Sequence, residues 1–346
     1  MRADLFFNMD KYEAPSERHT ACRQPRQVGV SLVWQIVQRV PLMRFMTIFA
    51  DDFALTNFAP SPPRFIMKIS CTLTAILLLP VITAAADTQA LRSALTHHVS
   101  FDRSLDADFS RGDKMAYATT GKTTAPFAAN EAIKIAPTDG KFGGALHIIK
   151  KNSVRPFYKG PGVFDYKAKD WSGAVSVWLR LTPDEDLEPG YCDPVQIVGG
   201  DSKKGFMFLE WSKDETPRYF RYAIRPILEL WNPQNKDWAK MTNAERPMVQ
   251  VERAPFSRNK WTHVVFTFER LNTGKTGQGK LYIDGKLQGA IQGWDLTLGW
   301  QAEMVQLVLG AAYVGRMDDL AVFNRALNEA DVRQVFGLKN GIRDLR

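Results

Sequence analysis

Apolar and polar residues alternate with a period of two along much of the chain beyond residue 100. Residues 174–181 show this best, with Val175, Val177, Leu179 and Leu181 on one face and Ser176, Trp178 and Arg180 on the other. Such a period is typical of a strand with one buried face. Similar runs, rich in β-branched and aromatic residues, cover residues 206–211, 219–224, 261–269 and 304–309. The pattern predicts a chain built mainly of short strands.

One pair of strands is predicted to form a hairpin around Asp284 and Gly285. The Asp-Gly pair readily takes the positive φ angles of a type I′ turn, whose twist matches that of two antiparallel strands. Residues 281–283 and 286–287 supply the strand ends on either side. This is the strongest hairpin signal in the sequence.

A single segment, residues 328–336, is predicted to be helical. Asn328 can cap its first turn, Asp331 lies near the positive end of the helix dipole, and Gly337 can close its last turn. The apolar stripe of this helix consists of Val332, Val335 and Phe336. Many short strands with one short C-terminal helix predict an all-β fold, a two-sheet antiparallel sandwich, rather than a sheet of alternating strands and helices.

Composition and charge narrow the range of partners. Of the 346 residues 45% are hydrophobic, which is enough for a sizeable core, and the formal charge is +8. After residue 86 there are 36 Lys and Arg against 31 Asp and Glu, a net charge of +5. These charges are interspersed without a basic run, which argues against nucleic acid as a partner. A mildly basic surface instead favours anionic partners such as acidic polysaccharides.

Residues 67–86 have the features of a secretory signal. Lys68 provides the positive start, residues 69–82 provide the apolar stretch, and Ala84-Ala85-Ala86 provides the small residues before a cleavage site. The alternative is an uncleaved transmembrane anchor. A helix that spans a bilayer requires about 20 apolar residues, whereas this stretch is shorter and contains Pro80.

The signal divides the chain into three regions. Residues 1–66 precede it and are predicted to be a poorly ordered, non-native upstream extension. Asp87 is the predicted first residue of a mature domain that runs to residue 346. This domain is predicted to be secreted, periplasmic or attached to the cell surface, with no stable membrane span. Cys192 is its only cysteine, so the domain cannot form an internal disulfide.

Four parts of the sequence resemble LamG-like domains of the laminin G and concanavalin A-like superfamily. They are Ser100-Phe101-Asp102; residues 140–146, which read GKFGGAL; Trp261-Thr262-His263-Val264-Val265 with Leu281-Tyr282-Ile283-Asp284-Gly285; and residues 315–327, which read GRMDDLAVFNRAL. These matches follow the family's order along the chain. The resemblance implies that the predicted sandwich is a jelly roll. Residues 226–255 have no counterpart in a minimal member and resemble an insertion.

The resemblance also implies a structural calcium ion where the first and last strands meet. Asp102 on the opening strand and Asp318 on the closing strand match the family's positions for its ligands. Calcium takes about six to eight oxygen ligands, of which two carboxylates supply only a few. Asp319 alternates to the opposite face, where it can pair with Arg325 or with a backbone donor. The alternative is that these acidic residues are capped by backbone groups or solvated.

The superfamily includes enzymes that cleave sugars, and these usually require two carboxylates facing one cleft. Asp184, Asp186 and Glu188 have a suitable spacing, but Pro183, Pro189 and Gly190 predict a solvated loop there. A nucleophilic cysteine is also disfavoured, because Cys192 has no helix start beside it to lower the pKa of its thiol. His263 belongs to the family's central strand motif and is predicted to be packed. The sequence therefore disfavours a catalytic site.

Aromatic rings with polar neighbours are the best candidates for a sugar site. Trp231 and Trp238 lie in the insertion with Asn232, and Arg221 and Arg225 lie on the strand before it. A tryptophan in a surface loop is costly to solvate unless it packs or binds a ligand. We therefore predict that these five residues bind a ligand. The alternative, that both rings extend the core over the sheet edge, stays open.

These features favour a secreted, non-enzymatic module that binds a polysaccharide or the glycan of a glycoprotein. Two other functions stay open, since fold alone does not decide function. One is a glycan-active hydrolase or lyase, which a cleft with two close carboxylates would favour. The other is a structural or adhesion protein of the cell surface, which a flat face without exposed aromatic residues would favour.

Overall fold

The structure, a computed structural model, describes residues 88–346. The predicted upstream extension, residues 1–66, and the predicted signal, residues 67–86, lie outside the described residues, as does Asp87. Among the helices of the described part, none has the length and apolar character needed to cross a bilayer.

Nine strands form one antiparallel sheet, sheet A. They are β1 Leu95–Val99, β2 Phe109–Ser110, β5 Ile133–Ala136, β6 Ala145–Ile148, β8 Trp171–Arg180, β13 Thr262–Leu271, β14 Gln278–Ile283, β15 Lys286–Ile291 and β17 Gly315–Phe323. The spatial order is β15-β14-β13-β8-β17-β1-β2, with β6 joined to β17 and β5 joined to β6. The first and last strands, β1 and β17, are therefore neighbours, as the resemblance implied.

Eight strands form a second antiparallel sheet, sheet B. They are β3 Tyr117–Thr120, β4 Thr123–Pro126, β7 Phe157–Lys159, β9 Asp193–Val198, β10 Phe206–Trp211, β11 Phe220–Arg225, β12 Met248–Val251 and β16 Gln306–Ala311. The spatial order is β12-β11-β10-β9-β16-β7-β3-β4. The two sheets confirm the predicted sandwich, and its topology is consistent with a jelly roll.

The predicted alternation along β8 is confirmed by the core. Val175, Val177 and Leu179 belong to the main apolar cluster between the sheets, so Trp178 and Arg180 face away from it. The predicted hairpin is confirmed as well, because Asp284 and Gly285 separate β14 from β15 and both have positive φ, 47° and 76°.

Four short helices accompany the strands: α1 over residues 88–94, α2 Pro183–Asp186, α3 Leu228–Trp231 and α4 Glu329–Phe336. The α4 helix confirms the predicted C-terminal helix. Its cap is reciprocal, because Asn328 Oδ1 accepts from the Asp331 N–H at 2.9 Å and Asp331 Oδ2 accepts from the Asn328 N–H at 3.0 Å. The other three were not predicted. The 3-10 helices are Ser202–Lys204, Trp238–Lys240, Asn243–Glu245, Gly274–Thr276, Ala302–Met304 and Gly341–Leu345.

Two smaller apolar clusters lie outside the sandwich. On the outer face of sheet A, α1, α4 and the last 3-10 helix bury Ala174, Val265 and Ala321. On the outer face of sheet B, the insertion buries Phe206 and Phe208 of β10. Each sheet is therefore covered on both faces over part of its area, and the uncovered parts are where a ligand could bind.

Candidate functional site

The tryptophans of the insertion are buried. Trp231 and Trp238 expose only 6% and 8% of their surface, and their rings meet edge to face with centroids 5.8 Å apart. Trp238 also contacts the ring of Phe208 at 5.9 Å, and Met241 and Phe206 complete the cluster. Because Phe206 and Phe208 point out of sheet B, an apolar cover is required there. The structure therefore favours the packing alternative, and neither ring offers a face to a sugar.

Two of the polar residues predicted to bind a ligand support this cover instead. The guanidinium of Arg225 lies over both rings, 5.0 Å from the Trp231 centroid and 5.5 Å from the Trp238 centroid. Asn232 is buried, and its side chain both donates to the carbonyl of Lys236 and accepts from the N–H of Lys236, each at 2.9 Å. These contacts close the loop between α3 and the 3-10 helix at Trp238.

Arg221 is also buried, within a polar network on sheet B. Its Nε donates to Gln250 Oε1 at 2.8 Å, and its two Nη atoms lie 3.4 Å from carboxylate oxygens of Glu210 and Glu215. The guanidinium is thus held by neighbouring strands. The structure does not bring the five predicted ligand residues together at the surface.

Asp102 and Asp318, the predicted calcium ligands, both hold the turn of residues 140–144. Asp318 Oδ2 accepts from the N–H of Phe142 at 2.9 Å, and Asp102 Oδ1 accepts from the N–H of Gly144 at 2.8 Å. Arg343 Nη2 donates to Asp102 Oδ2 at 3.0 Å and to the carbonyl of Phe142 at 2.7 Å. The cation at this seam is therefore a guanidinium of the chain itself.

These residues do not fit a calcium site. Calcium selects several ionised oxygen ligands, but burial raises the pKa of Asp318 to about 7 against the opposing hydrogen bond from Phe142. Asp102 is already paired with Arg343. Among residues 88–346 no three His, Cys, Asp or Glu side chains lie together in a way that could hold a metal. The alternative of acids capped by backbone donors describes the seam better.

Asp319 pairs with a histidine rather than with Arg325. His98 Nε2 lies 2.8 Å from Asp319 Oδ1, and the N–H of Ile342 donates to Asp319 Oδ2 at 2.9 Å. Arg325 binds Asp331 of α4 instead. The predicted backbone donor is therefore present, and the predicted arginine pair is not.

Asp184, Asp186 and Glu188, the three carboxylates with catalytic spacing, bind other segments of the same chain. Each accepts a hydrogen bond from a backbone N–H: Asp184 from Arg218 at 2.8 Å, Asp186 from Thr182 at 2.6 Å, and Glu188 from Lys151 at 3.0 Å. Arg258 also forms an ion pair with Asp186 at 2.7 Å. Because they bind different segments, they do not face one cleft. Asp184 and Asp186 lie on α2, where a solvated loop was predicted.

Ser176 and Cys192, the two candidate nucleophiles, are buried and cannot be reached by a substrate. Ser176 Oγ lies 2.8 Å from His263 Nε2, but both side chains are fully buried, and burial lowers the pKa of His263 to about 3. The Nδ1 atom of His263 has no hydrogen-bond partner in the described part of the chain, so no third group orients the ring as in a catalytic triad. Cys192 is buried too, and burial raises the pKa of its thiol to about 12.

A row of basic and aromatic side chains crosses the uncovered end of sheet A. In order across the strands it consists of Lys134 on β5, His147 on β6, Arg316 on β17, Arg180 on β8, and Trp261 just before β13. We call these five residues the basic row. Neighbouring strands are about 4.8 Å apart, so the row spans about 19 Å. Its members are exposed or half-buried.

One carboxylate fixes the two central arginines of the basic row. Asp139 Oδ1 accepts from Arg180 Nη2, and Asp139 Oδ2 lies 2.5 Å from Arg316 Nε. Burial alone would raise the pKa of Asp139, but the hydrogen bond from Arg180 and the charge of Arg316 outweigh it and lower the pKa. The guanidinium of Arg180 also lies 4.8 Å from the ring centroid of Trp261.

An aromatic group adjoins the basic row two residues further along the same strands, on the same face of the sheet. Trp178 is paired with Asp318 and His263 across the sheet. Lys141 Nζ lies 4.8 Å above the Trp178 ring, and Phe336 of α4 stacks on that ring at 5.7 Å. Trp178 itself is buried beneath these side chains. The surface here therefore combines cations with partly exposed aromatic carbon.

The sequence contained one signal for this surface. The period-two pattern of β8 places Trp178 and Arg180 on the face away from the core, and that placement is confirmed. The other members lie on strands remote in sequence, and only the register of the sheet aligns them. For this reason no local pattern in the sequence predicts the basic row.

Comparison with known proteins agrees with this architecture. The family model of the concanavalin A-like lectin/glucanases superfamily, in its laminin G form, matches residues 167–333. No curated protein matches the sequence. Domain 4 of AbnA, an extracellular arabinanase from Geobacillus stearothermophilus solved with arabinotriose, is 18% identical with a TM-score of 0.40, over 70% of this chain and 97% of that one.

Botulinum neurotoxin binding domains are similar as well. The serotype D domain solved with N-acetylneuraminic acid is 11% identical with a TM-score of 0.48, over 72% of this chain and 52% of that one. The type DC domain solved with rat synaptotagmin II is 15% identical with a TM-score of 0.43, over 74% and 52%. The match thus spans about half the length of these toxin domains. The match of residues 167–333 to the laminin G model of the concanavalin A-like lectin/glucanases superfamily confirms the resemblance that the sequence motifs carried.

Proposed function

We propose that this chain is a secreted or cell-surface module that binds a polysaccharide or the glycan of a glycoprotein, without catalysing a reaction, and that the basic row is its binding surface. The observation that carries the proposal is the contact between Arg180 and the half-buried ring of Trp261. A sugar is recognised by an apolar ring face together with hydrogen-bond donors in fixed positions. Trp261 supplies the first, and Arg180 and Arg316 supply the second.

The position of this pair on the fold supports the proposal. The helices that cover sheet A pack on its other part, around Ala174 and Ala321, and leave the end of β8 accessible. Arg180 is held from two sides, by Asp139 and by Trp261. A donor that is fixed before binding loses little conformational entropy when a ligand arrives.

A hydrolase or lyase is less well supported. Glycoside cleavage usually requires an acid and a second carboxylate on either side of the bond. The carboxylates with that spacing, Asp184, Asp186 and Glu188, are bound to backbone N–H groups. Release of sugar products by the purified chain, abolished by changing a single carboxylate, would overturn the non-enzymatic proposal.

Binding is tested with the purified chain on a glycan array and, for each positive glycan, by calorimetry. We expect Trp261→Ala to abolish binding while the protein stays folded. Trp294→Ala is the matched control, because Trp294 is also half-buried but lies outside the basic row. Loss of binding in both variants, or in neither, would contradict the proposed surface. A chain that binds no glycan would favour a structural role.

Secretion is tested separately by sequencing the N-terminus of the protein produced in its native host. The proposal expects a start at or near Asp87, since the residues before it have the features of a signal. Peptides from residues 1–66 in the mature protein would contradict it.

A further inference from the structure

The basic row has an excess of positive charge at its centre. Arg316 and Arg180 contribute two cations there, Lys134 at one end of the row contributes a third, and Asp139 is the carboxylate that pairs with the two arginines. Burial, followed by the charges of Arg316 and Lys134, lowers the pKa of His147, so that this ring is neutral at pH 7. The adjoining Lys141 adds a fourth cation beside the row.

Acidic residues near the Trp261 end of the row do not cancel this positive charge. Glu185 and Asp186 of α2 share one cation, Arg258, at 2.6 Å and 2.7 Å, so this group leaves a single net negative charge against the three cations of the row. On the hairpin side, Asp284 is paired with Lys260 at 2.8 Å. The cations at the centre therefore keep a net positive field, which attracts an anion.

The guanidinium groups also keep donors for a ligand. A guanidinium carries five N–H donors, and Asp139 contacts only Nη2 of Arg180 and Nε of Arg316. Within residues 88–346, no hydrogen bond is made by the Nη atoms of Arg316 or by Nη1 of Arg180. The side chains of Arg180 and Arg316 are 19% and 30% exposed, respectively, so these donors can reach a ligand.

Asp139 also shows which anion fits. Its carboxylate lies between the two arginines, with one oxygen toward each. Planar carboxylates match the planar fork of a guanidinium in this way. A second carboxylate can approach the same guanidiniums from the solvent side and use the remaining donors.

We propose that the basic row selects saccharides that carry carboxylate groups, such as polymers of uronic acids, with Arg180 and Arg316 binding the carboxylate beside a ring stacked on Trp261. This inference rests on the proposed function and specifies its ligand class. A row about 19 Å long covers several strands, so that repeated acidic units of one polymer can contact Lys134 as well as the arginines.

The test compares oligogalacturonate with the same oligomer after its carboxyl groups have been reduced to alcohols. Calorimetry with the full chain should show at least about tenfold tighter binding of the acidic probe, since a charge-assisted pair of hydrogen bonds is worth that factor. Equal affinity for both probes would overturn the inference and leave the proposed function intact. Failure to bind either probe or any glycan of the array would overturn both.

Variants locate the binding to the basic row. Arg316→Gln and Lys134→Gln should each weaken binding of oligogalacturonate several-fold, while Arg253→Gln and Lys122→Gln should leave it within about twofold. The controls remove the same charge from exposed positions outside the row. Equal losses in the row and control variants would show that only net charge matters, and would overturn the assignment.

One variant is expected to bind oligogalacturonate more tightly, which a folding defect cannot cause. Asp139→Asn keeps an amide oxygen that can still accept a hydrogen bond from Arg180, but it removes the negative charge that competes with an acidic ligand, and should tighten binding of oligogalacturonate about threefold or more. A purely structural role for Asp139 predicts weaker binding, because Arg180 and Arg316 would lose their support. Weaker binding in a variant with an unchanged melting temperature would contradict the proposal.

Discussion

The insertion is expected to stabilise the fold through its tryptophans. Trp238→Ala removes a ring that is 8% exposed and contacts Phe208, Trp231 and the guanidinium of Arg246 at 4.9 Å. Replacing such a ring costs about 3–5 kcal/mol. In a domain of this size that corresponds to a fall in melting temperature of about 6–20 °C. Trp231→Ala should behave similarly, and the double variant should lose less than the sum because the two rings are in contact.

Unfolding in urea, followed by tryptophan fluorescence and by circular dichroism, measures the loss. Trp261→Ala is the comparison, since this ring is half-buried and stacks mainly on Arg180, and we expect a loss of only about 1 kcal/mol. The Nε1 atom of Trp238 is buried without a hydrogen-bond partner among the described residues. Trp238→Phe removes that unsatisfied donor and should keep most of the stability. An unchanged free energy of unfolding in Trp238→Ala would refute the assignment of the insertion to the core.

Two further predictions concern the seam and the buried histidine. A chelator should leave the melting temperature unchanged. Arg343→Gln should lower the free energy of unfolding by about 1 kcal/mol, the contribution of a partly exposed ion pair with Asp102. A fall in melting temperature on adding the chelator would instead support a calcium ion at the seam. The folded-state pKa of His263, about 3, lies below its ordinary value of 6.5, so its contribution to stability is complete above pH 6.5 and is lost as the pH falls toward 3. Urea titrations should show that loss, and His263→Gln should reduce it; an identical pH profile in the variant would contradict the cause.

Local sequence signals were sufficient where local chemistry decides the structure. The helix α4 follows from a reciprocal cap between residues 328 and 331, and the β14–β15 turn follows from an Asp-Gly pair with positive φ. The alternation in β8 identified both of its faces correctly. By contrast, α2 and α3 have four residues each. Helices this short have little intrinsic stability, so tertiary contacts determine where they form.

The insertion tryptophans show why a burial argument from sequence alone leaves packing and ligand binding as open alternatives. A tryptophan in a loop between strands is expected to be solvated unless something covers it. The residues that it covers were visible in β10, where Phe206 to Leu209 is continuously apolar. Such a run indicates a strand buried on both faces. A strand of this kind requires a cover on its outer face, which favours packing over ligand binding for Trp231 and Trp238.

The sequence by itself determined that the chain forms a sandwich, that β1 and β17 carry the family's terminal motifs, and that Arg180 faces away from the core. These properties depend on periodicity and on motifs read along the chain. Only the tertiary structure decided that Lys134, His147, Arg316, Arg180 and Trp261 form one row. The reason is that antiparallel register aligns residues from strands far apart in sequence, and no local pattern encodes which of them become neighbours.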